Sequence, residues 1–122
     1  MGRKLDVPAL WSEQMGAAVA KQRELAADAY LTDQSFAQMR EAYNRERAFW
    51  NEGGPAPAST RNGTLPTRHG RVPVRMHRPS DAPRLPVIVY IHGGGWVLGN
   101  LDTHDRITRT LAAETGAAVL AV

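Results

Sequence analysis

The first fifty residues carry apolar side chains at helical spacing. From Pro8 to about residue 31 they recur mostly three or four positions apart, at Leu10, Trp11, Met15, Ala18, Val19, Leu25, Ala26 and Tyr30. This period predicts a first helix over residues 8–31, with an exit at 31–33.

A second helix is predicted from Ser35, a good N-cap residue, to about Trp50. Its apolar positions form a stripe that we interpret as packing surface rather than a cofactor site, made of Phe36, Met39, Tyr43, Phe49 and Trp50. On its polar side Glu41 and Arg45 are four residues apart, a spacing that allows an ion pair.

The pattern changes after residue 50. Residues 51–58 are rich in Gly, Pro and Ala and are predicted to form a linker. Residues 60–79 alternate weakly around His69-Gly70, which predicts a β-hairpin. Pro66, Pro73 and Pro79 cannot donate backbone hydrogen bonds, so this hairpin is expected at a sheet edge.

The last forty residues predict a strand, a helix and a second strand. Leu85–Ile91 is apolar and β-branched, which is typical of a buried central strand. Asp102 is the expected N-cap of the helix, with Asp105 in its first turn and Gly116 ending it. Ala117–Val122 then predicts a strand parallel to the first, joined to it by a right-handed crossover. The helix is expected to bury Ile107, Leu111 and Ala112.

These elements divide the chain into a helical segment (1–50), a linker (51–58) and an α/β segment (59–122). The sequence reaches Val122 within an apolar strand that nothing caps or charges. Because parallel strands are usually buried on both faces, we expect the α/β segment to be incomplete as it stands.

Composition excludes several classes of protein. The 122 residues contain no cysteine, so disulfides and thiolate metal sites are excluded, and no apolar run approaches the ~20 residues of a membrane span. Asp6 and Pro8 interrupt the apolar centre that a signal peptide needs, so a cytoplasmic location is expected. The net charge is +3, but no aromatic residue lies between Trp50 and Tyr90 among the clustered arginines, so we do not expect nucleic-acid binding.

The candidate chemistry lies directly after the first predicted parallel strand. His92 is followed by Gly93, Gly94 and Gly95. Three residues without a Cβ let the backbone turn sharply and approach a ligand, and exposed amides beside a strand end can bind negative charge. A phosphate site is less favoured, since the Lys-Ser/Thr ending of a P-loop is missing.

At this loop the sequence resembles a known family. HGGGWVLGNLDTHD (92–105), together with VIVYIHGGG and YNRERAFWNEGGP (43–55), is similar to bacterial acetyl esterases of the hormone-sensitive-lipase family of α/β-hydrolases. The resemblance implies the N-terminal part of an α/β-hydrolase, with two cap helices, an edge hairpin and a β-α-β unit of a mostly parallel sheet. It also implies short-acyl ester substrates and no cofactor.

The resemblance further implies roles for five residues. Gly93 and Gly94 would donate amide hydrogen bonds to the oxyanion of ester hydrolysis, and Gly95 would shape the turn. Trp96 would line the acyl pocket, although simple core packing is an equal alternative. His92 would hold the loop in shape rather than act as a base.

The triad of the family has no counterpart in this sequence. The nucleophile of the family lies in a G-x-S-x-G elbow, and Ser12, Ser35, Ser59 and Ser80 all lie outside such an elbow. His104 beside Asp105 could suggest a dyad or a metal ligand, but local stabilisation of the helix start is favoured, and no metal is expected.

Two functions therefore remain open. The first is an N-terminal portion of a serine ester hydrolase, inactive alone, which forms a homo-oligomer or pairs with a missing C-terminal half. The second is a non-catalytic binding module derived from a hydrolase. We prefer the first, because the glycine loop has no evident use without a nucleophile.

Overall fold

A computed structural model describes residues 5–28, 31 and 33–122. A short 3-10 helix (Val7–Leu10) precedes helices α1 (Glu13–Ala26) and α2 (Phe36–Trp50). Strands β1 (Ser59–Thr67) and β2 (Gly70–Arg78) follow, then β3 (Val87–Tyr90), helix α3 (Asp105–Thr115) and β4 (Ala118–Ala121). The predicted order of two helices, a hairpin and a β-α-β unit is confirmed.

The first predicted helix is in fact two elements. The backbone is extended at Trp11, and the Ser12 hydroxyl accepts a hydrogen bond from the Met15 amide (3.2 Å), so α1 begins after this N-cap. The prediction of one helix over 8–31 was wrong because the apolar period hides a capping serine. Tyr30 and Thr32, which that prediction included, lie outside the described residues.

Helix α2 begins and ends where the sequence predicts. Ser35 and Gln38 form a reciprocal capping box, which satisfies amides at the helix start. The predicted apolar stripe is only partly correct: Tyr43 is buried, but Phe36 is 62% exposed.

The remaining contacts of α2 differ from the predicted ones. Ala42 packs with Ala26 of α1. Instead of the pair with Glu41 that the spacing allows, Arg45 pairs with Asp28, two residues after the end of α1. Its Nη2 donates to both carboxylate oxygens of Asp28 at 2.9 Å. Tertiary contact therefore outweighs the pairing available within the helix.

The four strands form one mixed sheet in the order β1-β2-β4-β3. The hairpin pairs Ser59 with Arg78 through to Thr67 with Gly70, as predicted. β2 pairs with β4 antiparallel only at 75–77, so Pro73 lies beyond this pairing and Pro66 lies on the outer strand. β3 and β4 are parallel, which confirms the predicted direction.

The expectation that residues 85–91 form a buried central strand was wrong for the described residues. β4 lies between β2 and β3, and its Val119 is fully buried. β3 has one neighbour among the described strands, and its alternate side chains Val87 and Val89 are more than half exposed, as is Ile91 after it. One face of β3 is therefore uncovered.

Helix α3 begins later than predicted. Asp102 is not its N-cap, because the Asn100 side chain accepts hydrogen bonds from the amides of Asp102 and Thr103 and closes a turn there. The helix starts at Asp105 and ends, as predicted, at Gly116 in the left-handed conformation. Of the predicted buried positions Ala112 is buried, whereas Ile107 is 47% exposed.

The Asp105 carboxylate joins α3 to the sheet. Its Oδ1 lies 2.8 Å from Arg75 Nη1 and 3.2 Å from Nε2 of buried His77, both on β2, and its Oδ2 accepts from Arg109 Nε at 2.7 Å. Arg109 also donates to the carbonyl groups of Gly53 and Pro55 in the linker. We call Asp105, Arg75, His77 and Arg109 the Asp105 cluster.

The pKa values in this cluster report the same interactions. Burial acts to raise the pKa of Asp105, but hydrogen bonds from Arg109 and Arg75 and the nearby charges outweigh it, so the pKa is lowered. Burial lowers the pKa of His77, and the charges of Arg75 and Arg109 act in the same direction, against the attraction of Asp105. The cluster is therefore most stable with Asp105 ionised and His77 neutral.

We expect Asp105→Asn to lower the free energy of unfolding by about 2–4 kcal/mol, because it leaves two largely buried arginines without their shared anion. The value lies below that for a fully buried pair because the Asp105 side chain is 24% exposed. The matched control is Asp102→Asn, which also removes a carboxylate from Arg75 but at a side chain that is 81% exposed; it should cost less than about 1 kcal/mol. Urea unfolding of both variants measures the difference, and equal costs would contradict this account.

Candidate functional site

The loop between β3 and α3 has an unusual backbone. Gly94 (φ 138°), Gly95 (φ 59°) and Gly99 (φ 91°) adopt positive φ angles, and so does Trp96 (φ 59°). The Gly94 carbonyl accepts hydrogen bonds from the amides of Val97 (3.1 Å) and Leu98 (2.9 Å), so the chain folds tightly back on itself. Such a conformation in a bulky residue like Trp96 is strained and recurs at functional sites.

Two glycines in this loop are required by space as well as by φ. A Cβ on Gly94 would lie 1.9 Å from the Leu98 carbonyl oxygen, and one on Gly99 would lie 2.8 Å from His92 Nδ1. A Cβ on Gly93 would meet nothing within 4 Å. The backbone is therefore tightly packed against Leu98 at Gly94, whereas the space at the Cβ position of Gly93 is open.

The amides of the glycine run face no partner within the described part of the chain. Gly93, Gly94 and Gly95 donate no hydrogen bond there. The same residues line a cavity of about 570 Å³, formed by Ile91–Gly99 and by Arg40 of α2. Since these lining residues include no carboxylate, the cavity offers hydrogen-bond donors and positive charge to a ligand.

Trp96 lies at this cavity with its side chain fully exposed. Of the two predicted alternatives, core packing is therefore wrong for the described residues. Lining of an acyl pocket remains a prediction, since the exposed indole has no described cover on its outer side.

The rings of His92 and His104, at the two ends of the loop, stack on each other. Their ring centroids are 5.1 Å apart at an interplanar angle of 24°, and His92 Nδ1 lies 2.8 Å from the Gly93 carbonyl oxygen. Burial lowers the pKa of His104, and the neighbouring His92 and Arg47 lower it further, against a hydrogen bond with the Asn100 backbone. The structural role of His92 stays a prediction.

His104 and Asp105 form no dyad with each other. The His104 ring contacts the Thr103 hydroxyl (2.9 Å), whereas Asp105 belongs to the cluster with Arg75, His77 and Arg109. Within residues 5–28, 31 and 33–122 no three His, Asp or Glu side chains are arranged to hold a metal ion.

Polar contacts from α2 support the loop, and sequence reasoning missed them. Arg40 Nε donates to the Val97 carbonyl (2.7 Å), and Asn100 Nδ2 donates to Asn44 Oδ1 (3.2 Å). Thr103 Oγ1 accepts from the Asn100 amide (2.8 Å). The Asn-Leu-Asp-Thr run was an available signal for this turn, but nothing in the sequence signalled Arg40, because its partner lies 57 positions away.

The serines lie away from the cavity. Ser12 and Ser35 cap α1 and α2, Ser59 begins β1, and Ser80 lies in the loop after β2. None of them lines the cavity at the glycine run.

None of the helices in the described ranges is long and apolar enough to span a membrane.

Comparison with known proteins identifies the fold. Residues 88–122 match the family model described as the alpha/beta hydrolase fold. A hyperthermophilic esterase from the archaeon Pyrobaculum calidifontis is 33% identical over 86% of this chain and 34% of its own, with a TM-score of 0.75. The predicted fold class, part of an α/β-hydrolase, is confirmed.

Two further structures are similar. A thermophilic and thermostable carboxylesterase cloned from a metagenomic library is 31% identical over 73% of this chain and 31% of its own, with a TM-score of 0.68. An ester hydrolase from the metagenome of Lake Arreo, complexed with a bipyridine phosphonate derivative, is 25% identical over 98% of this chain and 37% of its own, also with a TM-score of 0.68. The chain thus spans about a third of the length of the structures it matches.

We expect Gly94→Ala to lower the free energy of unfolding by at least about 2 kcal/mol, because its Cβ would overlap the Leu98 carbonyl and its φ is unfavourable for alanine. Gly93→Ala, the matched control, has free space at its Cβ and should change stability by less than about 1 kcal/mol. Chemical denaturation of both variants is the measurement. A Gly94 variant as stable as the Gly93 variant would show that the loop does not have this geometry.

Proposed function

Because this chain carries part of an α/β-hydrolase fold and is similar to esterases of that fold, we propose that its glycine loop is the oxyanion hole of a carboxylic ester hydrolase. The family resemblance supports a place among the hormone-sensitive-lipase esterases, with short-acyl and above all acetyl esters as substrates. In this proposal Gly93 and Gly94 supply amide donors, and Gly95 and His92 maintain the loop.

One observation carries the proposal: consecutive glycine amides without a partner among the described residues line a cavity that lacks carboxylates. When an ester is attacked, negative charge develops on the former carbonyl oxygen. Fixed amide dipoles stabilise that charge without having to reorganise, so a preformed loop lowers the barrier. The tight fold at Gly94 provides the rigidity that this mechanism requires.

Residues 1–122 do not supply the rest of the reaction in this proposal. A serine in a G-x-S-x-G elbow, its histidine and its acid would have to lie outside these residues, since none of the four serines lies in such an elbow. An oxyanion hole without a nucleophile keeps only a small part of the rate, and Trp96, which lines the cavity, is fully exposed. We therefore expect no hydrolysis of p-nitrophenyl acetate above background by the 122-residue chain alone.

The test is a chimera in which this chain replaces the aligned segment of the Pyrobaculum calidifontis esterase, assayed with p-nitrophenyl acetate. We expect an active chimera, and we expect Gly94→Ala within it to lower kcat by about 10²–10³-fold. The added Cβ would displace the loop and move an amide donor out of position, with the usual effect of losing one oxyanion donor. The control is Gly16→Ala on α1, where an added Cβ meets nothing within 4 Å. It should leave kcat unchanged.

A chimera that folds, as judged by circular dichroism and cooperative unfolding, but shows no activity would contradict the proposal. So would hydrolysis by the 122-residue chain alone at a rate comparable to the chimera. The first result would favour the alternative that the chain acts as a binding module.

A further inference from the structure

Arg40 shares the cavity with the glycine loop although it comes from a different element. It projects from α2, and its Nε donates to the Val97 carbonyl at 2.7 Å, two residues beyond Gly95. Arg40 lines the same cavity as Gly93, Gly94 and Gly95. The hydrogen bond at Nε fixes the planar group relative to the loop while the two Nη atoms remain for other contacts.

The charge of Arg40 is not neutralised within the described part of the chain. Arg45 on the same helix pairs with Asp28, and Arg75 and Arg109 share Asp105. No carboxylate among the described residues lies within 4.0 Å of the Arg40 side chain, and none lines the cavity. A cation that is held in place beside unpaired amides favours a ligand that offers a carboxylate to the arginine and a carbonyl oxygen to the amides.

We propose that Arg40 binds a free carboxylate of the substrate, so that the cavity selects esters that carry a negatively charged carboxylate in addition to the ester group. Half-esters of dicarboxylic acids and O-acyl esters of hydroxy acids are the compounds of this class. This inference rests on the proposed function, because it uses the glycine amides as the site of the reacting carbonyl. Arg40 then acts as a specificity residue that contacts the part of the substrate that does not react.

The competing interpretation is that Arg40 only holds the loop, through its bond to Val97. The two roles differ in their dependence on the ligand. A residue that binds the free carboxylate affects esters that carry this group and spares esters that lack it, whereas a residue that only supports the loop affects both alike.

The experiment titrates the 15N-labelled chain with monomethyl glutarate, a half-ester with a free carboxylate, and with methyl valerate, which has the same ester group and chain length but a methyl group in place of the carboxylate. Amide shifts of Gly93–Gly95 report binding at the loop. We expect monomethyl glutarate to bind about fivefold more tightly than methyl valerate, which is the upper effect of an exposed ion pair. We expect Arg40→Gln to abolish this preference and Arg40→Lys, which keeps the charge without the planar fork, to retain part of it.

Arg61→Gln is the matched control, because Arg61 is an exposed arginine of β1 that does not line this cavity. It should keep the full preference for monomethyl glutarate. Equal binding of the two ligands, or a preference that survives Arg40→Gln, would overturn the inference while loop binding of methyl valerate still supports the oxyanion hole. Loss of both ligands in Arg40→Gln would make Arg40 a positioning residue and also overturn it. If neither ligand shifts the loop amides of the unmodified chain, the proposed function fails as well.

Discussion

The structure depends on a single carboxylate between the sheet and α3. Asp105 accepts hydrogen bonds from Arg75 of β2 and Arg109 of its own helix, and Arg109 extends the contact to linker carbonyls. The apolar core of the described residues is small, with alanines making up most of its buried hydrophobic side chains. Hydrogen bonds between charged groups therefore contribute a large part of the stability of the contact between α3, the sheet and the linker.

This anchorage fixes both ends of the glycine loop. β3 is held by parallel pairing with β4, and α3 is held by the Asp105 cluster, so the fourteen residues from Ile91 to His104 connect two fixed points. The loop turns tightly at Gly94 and again at Asn100, and α2 contacts it through Arg40 and Asn44. The amides of Gly93–Gly95 donate no hydrogen bond among the described residues, and these glycines line the cavity.

Local signals predicted much of this fold from the sequence. Ser35, the His69-Gly70 turn and Gly116 each determine an element boundary through their own backbone preference, and each boundary was predicted correctly. Errors arose where a neighbour competed. Asn100 closes a turn at the position where Asp102 was expected to cap α3. Ser12 caps α1 within the region that was predicted as one continuous helix.

Long-range contacts account for what the sequence could not predict. The pairing of Arg45 with Asp28, the contact of Arg40 with Val97 and the exposure of Phe36 all depend on how helices lie against the rest of the chain. The glycine loop itself was recognisable, because three consecutive glycines after a strand are costly unless the backbone needs them. Its exposed Trp96 and its stacked histidines became visible only in three dimensions.

The central claim is that the glycine amides form a preorganised site for a tetrahedral oxyanion. The most direct test is an amide chemical-shift titration of the 122-residue chain with methylphosphonate, a stable tetrahedral anion. The account predicts saturable shifts concentrated at Gly93, Gly94 and Gly95, with Gly53 and Gly116, which also have positive φ angles but lie elsewhere, unaffected. Shifts spread over the arginines of the hairpin, with none at the glycine loop, would contradict it.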